Sequence, residues 1–251
     1  MVSRKFKRIK VRVKTPIAKT GNGAIAGGKT NNFLLIENGK EGKKYLVKGI
    51  RGLVSHAMMN RAKEKGVEVC HSSDKEKTQK GENLLPEGFH PRADCYPENE
   101  CIQHRLMGSI HKPSKIKFEP VIIVSVRAKG TNEGAQKVQL ATETRTALMQ
   151  GSKRSIQDFG DKYFAGEFTF VIELNEELTK EELGYLLQAI LYTPELGLGG
   201  SINNGSGRLE LQEIILQEVI RTRTIGKNGK VVQEEKERSL WKELADAMEA
   251  W

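Results

Sequence analysis

The sequence predicts an α+β fold made of two strand–helix–strand units and interrupted by large insertions. Three observations carry that expectation. Several short runs alternate apolar and polar residues, the period of half-buried strands. Three segments carry helical patterns, one opened by a capping box at Thr179 and Glu182. Long polar stretches without periodicity separate these elements, and one of them collects all three cysteines.

Residues 7–14 read KRIKVRVK, with Ile9, Val11 and Val13 on one face and Arg8, Lys10, Arg12 and Lys14 on the other. This is a strand with one apolar face and one cationic outer face. A Gly/Asn/Thr loop follows over residues 15–32. An apolar run at 33–36 and a turn at Asn38-Gly39 come next. Residues 45–52, YLVKGIRG, lead into a helix over about 53–65. Residues 70–104 lose periodicity and predict a loop-rich insertion. The apolar run 121–126 predicts a buried strand. Residues 127–165 are polar and rich in Gly, Thr and Ser, a second insertion or a long hairpin. Residues 167–174 (EFTFVIEL) alternate as a strand, and Thr179 caps a helix over 179–191. A strand at 209–219, a turn at 226–229 and a helix at 240–251 close the chain. Without the insertions this order is ferredoxin-like, or RRM-like. The domains predicted are a discontinuous core (6–69, 105–126 and 166–225), insertions at 70–104 and 127–165, and a C-terminal turn and helix at 226–251.

Charge narrows the class of partner. The chain has 251 residues and a formal net charge of +9. Nine basic residues and no acidic one lie before Glu37, and the remainder is neutral. Cations gathered in one strand favour a polyanion, and nucleic acid fits better than a membrane. No apolar span or basic amphipathic helix supports a membrane reading. No apolar h-region follows the N-terminal charges, and an odd cysteine count argues against a disulfide framework. The expectation is a cytoplasmic protein.

Residues 197–211, GLGGSINNGSGRLEL, hold five glycines within eleven residues, with Asn203, Asn204, Ser201 and Ser206 between them and Arg208 at the exit. Bare glycine backbone lets a phosphate chain approach closely, while Asn, Ser and Arg supply donors. The spacing is neither GxGxxG nor GxxxxGK[ST], because the loop follows a helix and precedes a strand.

Cys70, Cys95, Cys101 and His104 form the second constellation. Thiolates and imidazole suit a closed, four-ligand zinc site, which would order a segment short of core-forming residues. His71, His90 and His111 lie near enough in sequence to be alternatives for the fourth ligand. Residues 70–104 carry seven acidic and four basic residues, which argues against a DNA-reading finger.

The basic first strand, YLVKGIRGLVSHAMMNR, CIQHRLMGS and LGLGGSINNGSGRLEL occur in this order. Together they resemble the RAMP superfamily of CRISPR systems. More narrowly, they resemble the backbone subunit of type I-D interference complexes, which coats the CRISPR RNA (crRNA). Lys48, Gly49, Ile50, Arg51 and Gly52 stand as a divergent copy of the family's P-G-S-S-L-K-G-x-x-R segment. Residues 101–109 resemble C-x-x-C-R-L-F-G-S, with His104 replacing the second cysteine. The resemblance implies an RRM-like core, a thumb-like hairpin at 127–165, head-to-tail assembly along guide RNA, and other complex subunits as partners. It places RNA contact on Lys10, Arg12, Lys19, Lys48, Arg51, Gly199, Gly200, Asn203 and Arg208. Arg145, Met149, Lys153 and Arg154 become thumb contacts.

A RAMP endoribonuclease is the alternative. Cleavage needs an ionisable acid or base near the phosphate. Residues 15–32 and 197–208 contain no Asp, Glu, His or Cys. The sequence therefore predicts a protein that binds RNA without cutting it and has no catalytic residue, with His56 as the one group to watch.

Overall fold

The computed structural model describes residues 2–18, 34–39, 42–47, 49–70, 89–90, 100–108, 112–125, 137–148, 156–198, 207–226 and 230–251. Within these, the strands are β1 (Val2–Ala18), β2 (Leu34–Gly39), β3 (Gly42–Val47), β4 (Val69–Cys70), β5 (Phe89–His90), β6 (Ile116–Phe118), β7 (Val121–Ser125), β8 (Lys137–Leu148), β9 (Ile156–Leu174), β10 (Glu210–Ile225) and β11 (Val231–Ser239). The helices are α1 (Ile50–Glu64), α2 (Ile102–Met107), α3 (Lys180–Leu196) and α4 (Trp241–Glu249).

The fold is mixed α+β with a ferredoxin-like core. β1 lies between β10 and β9, antiparallel to both. β6 pairs antiparallel with the C-terminal end of β9 through Ile116–Leu174 and Phe118–Ile172. The order β10-β1-β9-β6 is that of two interleaved strand–helix–strand units. The apolar run at 121–126 forms a strand with Val121 buried in the core, but it does not pair beside β9. β7 instead pairs with β3 and β8, and the sheet continues through β3 to β2. The three-residue β6 takes the core position. β8 and the first half of β9 form a long antiparallel ladder from Val138–Gly166 to Leu148–Ile156.

The alternation read in residues 7–14 sets the core. Ile9, Val11 and Val13 are fully buried, and their β9 neighbours Ile172, Phe170 and Phe168 share that face. α1 and α3 cover it with Val54, Ala57, Met58, Leu186, Leu187 and Ile190. Each large apolar side chain withdrawn from water contributes about 1.5–3 kcal/mol, so these two layers dominate the stability of the core.

Thr179 caps α3 as predicted. Its Oγ1 accepts from Glu182 N at 3.1 Å, and Glu182 Oε2 accepts from Thr179 N at 3.0 Å. α3 runs beyond residue 191 to Leu196 and contains Pro194. α4 packs against α3 at Gly184, where a Cβ would lie 2.4 Å from the Ala247 carbonyl oxygen. The chain ends in Trp251, whose ring lies 4.7 Å from that of the buried Tyr185. β11, unlike α4, is not foreseen from the sequence. All nine of its residues are exposed and six of them are Gln, Glu, Lys or Arg, so neither period-2 burial nor an apolar run betrays it.

No helix among the described residues is long and apolar enough to cross a membrane.

Candidate nucleic-acid interface and thiol–imidazole cluster

Three chain segments meet beside the start of α1. Gly49 caps that helix in the left-handed region (φ 94), with no side-chain cap and no acidic residue in the first turn. The first N–H groups of a helix have no intrahelical carbonyl, so this end favours an anion. At Gly52 nothing lies within 4 Å of where a Cβ would stand, so the backbone is open there. A Cβ at Gly49 would lie 3.9 Å from Leu198 Cδ1, at the entry to the glycine-rich loop.

The two ends of that loop are fixed. Gly197 closes α3 with φ 70, its N–H donating to the Thr193 carbonyl at 3.0 Å. Leu198 N donates to Gly207 O at 2.7 Å. Thr15 Oγ1, at the far end of β1, donates to the Arg208 carbonyl at 2.8 Å. The loop base is thus bonded to the end of β1, and Leu198 stands beside the α1 N-terminus. Gly199, Gly200 and Asn203 lie outside the described residues, as do Lys19, Lys48, Met149, Lys153 and Arg154. Arg145 lies on β8, with its side chain outside the description.

The predicted cations fall into two groups. Arg51 and Arg208 are exposed at the α1 and loop-base end. Arg51 Nη2 donates to the Met107 carbonyl at 3.0 Å, where α2 ends. On β1, however, the cationic outer face read from the sequence is in good part ion-paired, and one of its cations is buried. Arg8 is 7% exposed and pairs with Glu235 and Glu237 of β11. Lys10 Nζ lies 2.9 Å from Glu237 Oε2, and Arg12 Nη2 lies 3.3 Å from Glu213 Oε2. Arg221 on β10 joins this face, 2.6 Å from Glu235 and 3.2 Å from Glu173. For Arg8 and Lys10 the cause is β11, which brings its own carboxylates to the basic strand, whereas the partner of Arg12 lies on β10.

Titration follows that pairing. Hydrogen bonding to Lys10 holds the Glu237 carboxyl below the ordinary glutamate range, against the effect of burial. Burial pushes Glu235 up, but Arg221 and Arg8 outweigh it and hold it low. Burial and the neighbouring Glu173 push Glu119 up.

The second site is a thiol–imidazole cluster. Cys70 ends β4, Cys101 is the N-cap of α2, and His104 lies one turn into that helix. Their ligand atoms all lie within 4.8 Å of one another, and the two Sγ atoms are 3.5 Å apart. Cys101 Sγ also accepts from His104 N and Cys70 N, each at 3.4 Å. Two thiols and one imidazole are a donor set that fits zinc rather than a hard cation. Three of the four predicted ligands are therefore together, and Cys95 lies outside the described residues, as do His71, His111 and the side chain of His90. Behind the cluster, Tyr185 OH donates to the Met58 carbonyl at 2.8 Å. Burial, followed by the two cysteines, pushes its phenol far above its usual value.

The family model described as RAMP superfamily matches residues 10–210. The chain belongs to the RAMP superfamily. No curated protein matches the sequence. Among solved structures, the chain is similar to one titled "Cryo-EM structure of the Type III-B Cmr-beta bound to cognate target RNA". Identity is 13% and the TM-score 0.44, over 84% of this chain and 61% of that one. The chain thus spans less than two thirds of that relative. A second similarity is to "Type IV-B CRISPR Complex", with 10% identity and a TM-score of 0.49, over 82% of this chain and 89% of that one.

Membership corrects one expectation. The RAMP superfamily includes endoribonucleases, so two loops lacking acids and bases do not make this chain a non-enzyme. His56 is exposed on α1.

Proposed function

We propose that this RAMP protein is a crRNA-binding subunit of a CRISPR ribonucleoprotein complex. The observation that carries the reading is the junction at Leu198, where the uncapped start of α1 meets the closed base of the glycine-rich loop. Helix N–H groups and bare glycine backbone recognise phosphate without reading base edges. Arg51 and Arg208 add charge at the same end.

The finer reading is the backbone subunit of a cytoplasmic type I-D interference complex, repeating head to tail along its guide. Lys19, Lys48, Gly199, Gly200 and Asn203 would extend the RNA path, and Lys10 and Arg12 would join it only on giving up Glu237 and Glu213. The 127–165 segment would serve as a thumb through Arg145, Met149, Lys153 and Arg154. Residues 70–104 would be held by zinc on Cys70, Cys101 and His104, with Cys95 as the fourth ligand. The ion would supply a structural cross-link that ties β4 to α2.

The test is sequencing of nucleic acid recovered with the full chain expressed beside a CRISPR array, followed by titration of the stripped protein with single-stranded RNA. Repeat–spacer RNA in the first step, and weaker binding by Arg51→Gln and Arg208→Gln in the second, support the reading. Protein that carries no RNA and binds none rejects it.

A further inference from the structure

β11 forms one edge of the large sheet. β10 pairs with one side of it, and among the described residues no strand pairs with the other. A long exposed edge is a template for another strand. The two faces of β11 differ. Glu235 and Glu237 point to the face where Arg8, Lys10 and Arg221 already neutralise them. By alternation, the other face reads Val232, Glu234, Lys236 and Arg238.

We propose that β11 pairs antiparallel with β11 of a second copy of this chain, about a two-fold axis through Glu235, so that two sheets become one. An axis normal to the sheet sets residues of one face against residues of the same face. Glu234 of each copy then stands opposite Lys236 of the other, and Val232 opposite Arg238. Moving the axis by one residue sets Glu234 or Lys236 against its own copy, a like-charge contact that disfavours those registers. At the axis the two Glu235 carboxylates are each held by Arg221 at 2.6 Å and Arg8 at 3.3 Å. Lysine on an edge normally blocks pairing; here it has a complementary partner.

The strand ends fit the same operation. Eight large hydrophobic residues are exposed among the described residues, and five of them lie on or beside this hairpin: Ile220, Ile225, Val231, Val232 and Trp241. Trp241 follows the C-terminal end of β11, whereas Ile225, Val231 and Val232 cluster at its N-terminal end. Antiparallel pairing brings the tryptophan end of one copy to the valine end of the other. The contact is isologous and closes at two chains. It does not rest on the RNA-binding reading.

The experiment is sedimentation equilibrium of the full chain after nuclease treatment and removal of nucleic acid, so that a two-chain mass is not an RNA-threaded one. Wild type should be a dimer at low salt. Glu234→Lys and Lys236→Glu should each weaken dimerisation about tenfold or more, since two cross-strand pairs are reversed at once. The double variant Glu234→Lys/Lys236→Glu should restore it. A single-chain mass for wild type across its soluble range overturns the proposal. So do single variants that dimerise as well as wild type, or a double variant that stays as weak as the singles.

Discussion

Leu198 N donates to Gly207 O at 2.7 Å, and the same two residues leave no space for a side chain at position 207. Gly207 has φ 82, and a Cβ there would lie 2.5 Å from the Leu198 carbonyl oxygen. The obstacle is backbone, which cannot swing aside as a side-chain tip would. The clasp at the base of the loop therefore requires glycine for two separate reasons, conformation and contact.

Gly207→Ala is expected to open this clasp. A non-glycine residue in such a conformation costs about 1–3 kcal/mol before the clash is counted. Thermal denaturation should show a lower midpoint, and RNA titration a weaker complex. Gly52→Ala, where a Cβ meets nothing within 4 Å, is the control for the thermal midpoint alone. Equal stability of Gly207→Ala and wild type would reject the clasp.

Acid should destabilise the fold through Glu182. This carboxylate has its side chain 1% exposed, accepts from Lys115 Nζ at 2.9 Å and from Thr179 N at 3.0 Å, and has Arg105 Nε 3.7 Å away. Burial raises its pKa, but Lys115, the Thr179 N–H and Arg105 together lower it below the ordinary value. A depressed folded pKa gives stability that is present above the unfolded value of about 4.3 and is lost as pH falls through the folded one. Glu235 and Glu237 act with the same sign. Glu119, whose pKa is raised, acts with the opposite sign and costs stability as pH rises through its folded value. Urea unfolding across the acid range should show stability climbing with pH, with a shallower climb for Glu182→Gln and a steeper one for Glu119→Gln. Parallel profiles for wild type and Glu182→Gln would refute the linkage.

The elements legible in the sequence are those that bury one face. The Ile9–Val11–Val13 alternation and the Thr179–Glu182 box announce β1 and α3 because each pattern is local. β6 was not legible, since Ile116–Phe118 is too short to show a period and wins its place only by pairing with β9. β11 was hidden because an all-exposed charged edge has no burial signal. Missing it cost the site reading as well: the partners of Arg8 and Lys10 lie 227 to 229 residues away in sequence, beyond any spacing rule. Cys70, Cys101 and His104, grouped in the sequence by donor type, lie within 4.8 Å of one another in the fold.

Zinc removal should reach the RNA site. Cys101 and His104 lie on α2, and the last residue of that helix, Met107, accepts from Arg51 at 3.0 Å. A cross-link from Cys70 to α2 would hold the carbonyl that positions Arg51. Elemental analysis should find about one zinc per chain, as a closed structural site requires. Chelation, or Cys101→Ser, should lower the thermal midpoint and weaken RNA binding together. In an Arg51→Gln background chelation should lower the midpoint but change RNA binding less. Zinc-free protein with the thermal midpoint and RNA affinity of the zinc-loaded form would overturn the coupling.

The two groups of cations should separate in salt dependence. Each phosphate contact to single-stranded nucleic acid adds about 0.7 to the slope of log affinity against log salt, through counterion release. Arg51 and Arg208 are exposed at the loop base, so Arg51→Gln and Arg208→Gln should each flatten the slope by about that amount, for every RNA sequence alike. Lys10 is already neutralised by Glu237 at 2.9 Å. An occupied cation must give up its carboxylate before it can take a phosphate, and little counterion is released when it does. Lys10→Gln should therefore leave the slope nearly unchanged. Glu237→Gln should do the reverse: it frees Lys10 for phosphate and steepens the slope, while Arg8 stays buried on Glu235. Titrations at several salt concentrations with two unrelated RNA sequences measure all four variants. A slope that drops as much for Lys10→Gln as for Arg51→Gln would mean that β11 does not keep RNA from the basic strand.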